Sequence, residues 1–323
     1  MEKGNLWRKE KMNSISLCKL KTEMEIEPEK LSLSLEAFIK DYTEKMEREG
    51  VILGLSGGLD SAVLLSLCRR AVGSKKMLAL VMPEKDSKKE HTKDALHFAQ
   101  ELGIEAKLID LTPYLKEMGI YKLFLFDKIP SWGGLKGSIV KKAYQFYEKK
   151  AGKSPFSDSL LGLKDKKYNL YLKKSNAYYR IKHRLRMALL YLYGELENKL
   201  VVGAAIKSEY KIGYFVKHGC DNATDIMPLL NLYKTQVRKL ARYLNVPSKI
   251  IEKPPSPDII PGITDEEFLG ITYEKLDLIL LALEKNWELN EIARVVEIEE
   301  NKIIYIKDLI KKSEHMRNIY APT

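Results

Sequence analysis

The side chains best placed to do chemistry sit together at 54–61, where the chain reads Gly54-Leu55-Ser56-Gly57-Gly58-Leu59-Asp60-Ser61. Apolar Val51-Ile52-Leu53 precedes this run and Ala62-Val63-Leu64-Leu65 follows it, so a strand leads through a glycine turn into a helix. Gly57 and Gly58 let backbone N–H groups converge on an anion without interference from a Cβ. Ser56 and Ser61 add hydroxyl donors, and the following helix offers its positive N-terminal end. The run is neither G-x-x-x-x-G-K-[ST] nor G-x-G-x-x-G. It lacks a lysine to reach β/γ-phosphates and carries an acid, Asp60, instead. That exchange makes sense if Mg²⁺ bridges the acid to phosphate oxygens. The chemistry expected is pyrophosphate held with metal, as the leaving group of an adenylation.

The elements that must position this loop follow from the apolar pattern. Val51–Leu55, Met77–Met82, Ile104–Leu111 and Lys199–Gly203 read as strands, and Ser61–Val72 and His91–Leu102 as helices between them. Strands alternating with helices predict an α/β fold with a parallel, doubly wound sheet covered on both faces. Leu35, Phe38, Ile39 and Tyr42 fall at helical spacing over 33–48, whereas residues 1–32 show no clear period and read as a tail or adaptor. The main domain is therefore placed at 33–323. The stretch 119–175, rich in aromatics, lysines and turn residues such as PSWGG and DKKYN, reads as an insertion. Tyr178–Tyr193 is an amphipathic helix, and the C-terminal part from Glu266 is helical. Two helices around a turn near 296–301 could form a helix-turn-helix, but a helical pair packed on the α/β core is the commoner arrangement.

Composition limits the function classes. With 323 residues, 45% of them hydrophobic, the chain can bury a full core. No apolar window is long enough for a membrane span, and no apolar segment follows the charged N-terminus to make a secretory signal. Cys18, Cys68 and Cys220 are too few and scattered for a disulfide framework, which suits a reducing cytoplasm. The net charge of +11 raises the question of an RNA partner. The basic residues are spread along the chain, although densest over 136–186, so a solvated surface with a site for phosphorylated ligands is the favoured reading.

The S-G-G-x-D-S run resembles the motif of the ATP pyrophosphatases, or PP-loop enzymes, which have an adenine nucleotide alpha hydrolase-like fold. The stretches RIKHRLRMALLYLYGEL, VVGAAIKSEYKIGYFVKHG, DIMPLLNLYKTQVRKLARYLNVP, KPPSPDIIPGITDEEFLGITYEKLD and SEHMR resemble ammonia-dependent NAD synthetase in order and spacing. This resemblance implies that ATP activates the carboxylate of deamido-NAD as an acyl-adenylate, which ammonia converts to NAD with release of AMP and pyrophosphate. No glutaminase extension is evident, so ammonia is the expected donor. The same resemblance implies a homodimer. Glu209 follows the strand KLVVG and so lies near the C-terminal edge of the sheet, and the family implies that it completes a Mg²⁺ site with Asp60. Lys234 corresponds to a lysine on the ATP phosphates, as a point charge at the α-phosphate. Ser256 stands where the family has a hydroxyl near the phosphates. Arg184 and Arg186 match arginines suited to phosphate or ribose, and Lys217 and Asp225 fall in the segment that borders the dinucleotide.

The departures from the family pattern cluster on the acceptor side. G-T-G-N-K-S-E reads Gly203-Ala204-Ala205-Ile206-Lys207-Ser208-Glu209, and N-I-Q-A-R reads Arg180-Ile181-Lys182-His183-Arg184. K-Y-G-D-G-x-x-D is one residue longer here and gains Cys220, and Met316 replaces a lysine. Loss of a buried hydrogen-bond partner costs about 1–3 kcal/mol, enough to change selectivity. An alternative reading is therefore a PP-loop ligase or sulfurtransferase that adenylates another nucleotide or RNA, with Cys220 as a persulfide carrier. A third is a non-catalytic nucleotide-binding protein, which would have little use for Asp60, Glu209 and Lys234 together.

Overall fold

The computed structural model describes residues 15–124, 135–151, 154–163, 169–256 and 264–321. Four strands, β1 (Gly50–Gly54), β2 (Met77–Val81), β3 (Glu105–Leu108) and β4 (Lys199–Val201), form a parallel sheet in the order β3-β2-β1-β4. Ile52 of β1 pairs with Leu78 on one side and Val201 on the other. The central strands are continuous apolar runs because both of their faces are covered. Val51, Leu53, Met77, Ala79 and Val81 belong to the core on one face, and Ile52, Leu78, Leu80 and Val201 to the core on the other. Strand β3 is an edge. Its Glu105 and Leu108 are exposed, and Lys107 lies 4.3 Å from the Tyr193 ring centroid. Charge on an edge strand discourages pairing with other chains.

In chain order the helices are α1 (15–23), α2 (Pro28–Lys45), α3 (Leu59–Val72), α4 (Lys89–Glu101), α5 (Thr112–Glu117), α6 (Leu135–Ala151), α7 (Pro155–Ser159) and α8 (Asn169–Leu196). After β4 come α9 (Lys207–Ile212), α10 (Lys234–Tyr243), α11 (Ser248–Ile251), α12 (Asp265–Leu269), α13 (Tyr273–Glu284), α14 (Leu289–Val296), α15 (Glu300–Lys312) and α16 (Glu314–Arg317). Helices α2, α3, α4 and α10 supply Ile39, Leu64, Phe98 and Leu240 to the first face. Leu115 of α5 and Leu190 of α8 cover the second. Gly194 lets α8 approach β4 closely, since a Cβ there would stand 3.0 Å from Val201 Cγ2. The sheet is thus doubly wound, as the pattern of runs predicts.

A second core joins Leu20 and Met24 to Leu276, Leu280, Ile292, Ile303 and Ile306 of the C-terminal helices. Two expectations change here. Helix α2 starts at Pro28 rather than 33, with proline in the first turn where its missing N–H is no loss. Residues 15–24 are not loose: Leu20 is fully buried. Only residues 1–14 of the expected tail lie outside the described residues. In the 119–175 stretch, α6 and α7 form, and α8 begins at Asn169. The PSWGG turn and most of DKKYN lie outside the described residues. The pair α14 and α15 buries Val295, Val296 and Ile306 in the second core, so it is a packed helical pair. No helix among the described residues is long and apolar enough to cross a membrane.

Candidate active site

Strand β1 lies between β2 and β4 and feeds its loop at the carboxyl edge of the sheet, the place where open α/β sheets hold ligands. Gly57 has φ +78°, and a Cβ at that position would meet the His91 carbonyl oxygen at 2.2 Å. Only glycine fits. The Ser56 and Ser61 hydroxyls lie 3.1 Å apart, and the Gly58 N–H donates to Ser56 Oγ at 3.2 Å. Lys253 Nζ donates to the Gly57 carbonyl at 3.2 Å and pairs with Asp94 Oδ2 at 2.9 Å. The loop is thereby fixed from outside before any anion binds.

Helix α3 starts at Leu59, two residues earlier than expected, so Asp60 sits in its first turn. Lys234, the first residue of α10, sends Nζ to Asp60 Oδ2 at 2.7 Å and to Glu209 Oε1 at 3.2 Å. Its backbone N–H donates to Ser208 Oγ, which in turn donates to Asp277 Oδ1 at 2.5 Å. Three segments distant in sequence therefore meet at one ammonium. Burial disfavours that ammonium, but the carboxylates of Asp60, Glu209 and Asp265 outweigh it and hold Lys234 above the ordinary lysine range. Burial pushes the Glu209 carboxyl up to about 8 despite Lys234, and the charges of Asp60 and Asp265 add to the rise. Three acids share one cation. That imbalance favours a further positive charge.

Two observations bear on whether Mg²⁺ fits here. Asp60 Oδ1 is buried without a hydrogen-bond partner among the described residues, and buried carboxylate oxygens are seldom left so. The donor set, two carboxylates at helix starts, is the hard oxygen chemistry that Mg²⁺ takes. The residues fit the ion.

The 54–61 loop, Glu209, Lys234 and Ser256 border one cavity of about 350 Å³, and Arg186 borders it too. Ser256 adjoins 257–263, which lie outside the described residues. Arg184, Lys217 and Asp225, expected to contact the substrate, do not line the cavity. Their polar atoms are used to tie the chain together. Arg184 donates from Nε and Nη2 to the Lys217 carbonyl at 3.3 Å. Lys217 Nζ donates to the His315 carbonyl at 2.6 Å. Asp225 accepts from the Val201 N–H at 2.8 Å and from the Tyr191 hydroxyl at 3.1 Å. Lys182, one of the departures from the family pattern, is fully buried between Glu84 at 2.9 Å and Asp86 at 2.8 Å. It is a structural ion cluster rather than a cavity cation.

Sequence reasoning missed Asp265 and two tyrosines. Tyr273 donates to Glu209 Oε1 at 2.8 Å and to Asp265 Oδ2 at 3.2 Å, and Tyr214 donates to Asp265 Oδ1 at 2.9 Å. Asp265 follows Thr264 in a capping box with Glu267, so its run of acids reads as an ordinary helix start. Lys253 was hidden in the same way, as one lysine in a basic chain. Burial pushes the Cys220 thiol well above the usual thiol range, with Asp221 adding to it. A protonated thiol is a poor nucleophile, which weighs against the persulfide reading.

The family model described as NAD synthase matches residues 31–123 and 143–320, leaving out 124–142 within the expected insertion. The chain is 43% identical over 284 residues to the NH₃-dependent NAD⁺ synthetase of Thermotoga maritima, covering 88% of this chain and 95% of that protein. It is 38% identical over 285 residues to the enzyme of the same name from Methanocaldococcus jannaschii, covering 87% and 92%. Among solved structures, NMN synthetase from Francisella tularensis superposes with a TM-score of 0.65 at 26% identity, over 93% of this chain and 99% of that one. NH₃-dependent NAD synthetase from Campylobacter jejuni, in complex with nitrate, gives 0.61 at 26%, over 93% and 100%. A match over both the nucleotide loop and the C-terminal helices, at these identities, makes this chain a member of the NAD synthase family.

Proposed function

We propose that the protein amidates deamido-NAD with ammonia at the expense of ATP, releasing AMP and pyrophosphate. The observation that carries this reading is the meeting of Asp60, Glu209 and Lys234 beside the glycine loop in a chain of this family. In the first step a carboxylate oxygen of the nicotinate attacks the α-phosphorus of ATP, and the bond to the β-phosphate oxygen breaks. The N–H groups around Gly57 and Gly58 and the hydroxyls of Ser56 and Ser61 receive the departing pyrophosphate. Lys234 balances the charge that builds at the α-phosphate, and Ser256 borders the same space. In the second step ammonia attacks the acyl carbon, the bond to AMP breaks, the nitrogen releases one proton to solvent, and the amide remains. Asp60 and Glu209 would hold Mg²⁺, which supplies charge neutralisation for the phosphate oxygens. Arg186, fixed by donation from Nε to the Met82 carbonyl at 3.1 Å, borders the same cavity as a further cation.

The active form proposed is a cytoplasmic homodimer. The test is a mixture of the protein with ATP, Mg²⁺, ammonium and deamido-NAD. NAD and AMP should appear in equal amounts. An absence of AMP with deamido-NAD, but its formation with nicotinate mononucleotide, would move the activity to the smaller acceptor. No AMP with either would overturn the proposal. Equilibrium sedimentation of the intact chain tests the dimer.

A further inference from the structure

Away from the Lys234 cluster, three side chains converge on the wall of the same cavity. His183 projects from α8, and Cys220 and Asp221 come from the loop between α9 and α10. His183 Nδ1 lies 3.4 Å from Cys220 Sγ and 3.3 Å from Asp221 Oδ2. One candidate ligand atom from each of the three falls within 4.8 Å of the others. The loop is held against the helix at this point. A Cβ on Gly219 would stand 3.1 Å from His183 Cβ and 2.9 Å from the Val216 carbonyl oxygen. The Gly219 N–H donates to Val216 O at 2.8 Å, and the Ala223 N–H donates to Gly219 O at 2.9 Å.

The ring geometry separates two kinds of chemistry. In a nucleophile–base–acid relay the thiol and the carboxylate use opposite nitrogens of the imidazole. Here both approach Nδ1, so the three donors surround one point instead of forming a line. Zinc bonds of about 2.3 Å to sulfur, 2.05 Å to nitrogen and 2.0 Å to oxygen give tetrahedral edges of about 3.5 Å for N···S and 3.3 Å for N···O. The observed separations are close to those edges. Imidazole and thiolate donors select ions of the zinc class over Mg²⁺.

We propose that His183, Cys220 and Asp221 form a binding site for one zinc-class divalent ion, separate from the acids around Lys234. The ion displaces the thiol proton to solvent and bonds Cys220 Sγ, His183 Nδ1 and Asp221 Oδ2. Three protein ligands leave a fourth position, which faces the cavity and takes water or an oxygen ligand from a molecule bound there. This inference does not depend on the reaction proposed above.

Cobalt(II) titration of the full-length, metal-stripped and reduced protein tests it, because cobalt reports its own ligands. A Cys18→Ser background removes the exposed cysteine, and Cys68 is fully buried. One equivalent of Co²⁺ should give a thiolate-to-cobalt charge-transfer band and intense tetrahedral visible bands, which one equivalent of Zn²⁺ abolishes. Cys220→Ser should lose the charge-transfer band, and His183→Ala and Asp221→Asn should each weaken binding by at least about tenfold. Thermal melts of the metal-free variants establish that they fold. The proposal is overturned if the band is absent from the parent protein or survives Cys220→Ser. Unchanged affinity in either of the other two variants overturns the three-ligand site.

Discussion

Asp60 is held by a single ammonium on one oxygen and by nothing on the other, which is an arrangement suited to a bound cation and costly without one. Asp60→Asn should fold normally and lower AMP formation at least about 100-fold, read in single-turnover assays. Glu209 adds a pH dependence. Its folded-state pKa of about 8 lies above the 4.5 of an unfolded glutamate, so the native state binds the extra proton. Stability contributed by this group is fully present below about pH 4.5 and falls as pH rises toward 8. Glu209→Gln should remove that slope, so the variant gains on the parent in thermal melts between pH 5 and about 8.5 while losing amidation. A fall in the variant's relative stability over that range would contradict the assignment.

Each acid or base of the centre opens a helix: Asp60 in the first turn of α3, Glu209 in that of α9, Lys234 starting α10 and Asp265 starting α12. Carboxylates gain from the positive end of a helix and Lys234 does not, so the lysine depends on the two acids it joins. The turn before α3 has room only for glycine at position 57. Gly57→Ala places a side chain at φ +78° against the His91 carbonyl, which should cost about 1–3 kcal/mol in denaturant unfolding and raise KM for ATP. Lys253→Met leaves the glycine geometry intact but removes the hold on its carbonyl, and should raise KM for ATP several-fold with little change in melting temperature. The sequence shows the loop and the sheet well, because buried parallel strands and a double glycine both leave local patterns. It also indicates Glu209 and Lys234, through long motifs. It does not show that Arg184, Lys217 and Asp225 spend their polar atoms on backbone groups, because such bonds depend on tertiary contacts. Asp265 is invisible for the opposite reason: its local role as a helix-start acid explains it fully.

At the scale of the molecule, two cores meet at the proposed catalytic centre. Leu55 and Leu59 anchor the loop beside Asp60 in the sheet core, whereas Tyr273, which holds Glu209 and Asp265, is buried in the C-terminal core with Leu20 and Leu276. Leu20→Ala, remote in sequence from every cavity residue, should lower stability by about 2–5 kcal/mol in denaturant melts. It should also make activity more sensitive to mild denaturant than the parent's is. The centre is a seam, and a seam fails when either cloth stretches. On slow warming, catalysis should fade several degrees before the far-ultraviolet helix signal falls, since a small slip of one core against the other parts Tyr273 from Glu209 while both halves remain folded. Turnover is therefore a finer thermometer of this protein than its own secondary structure.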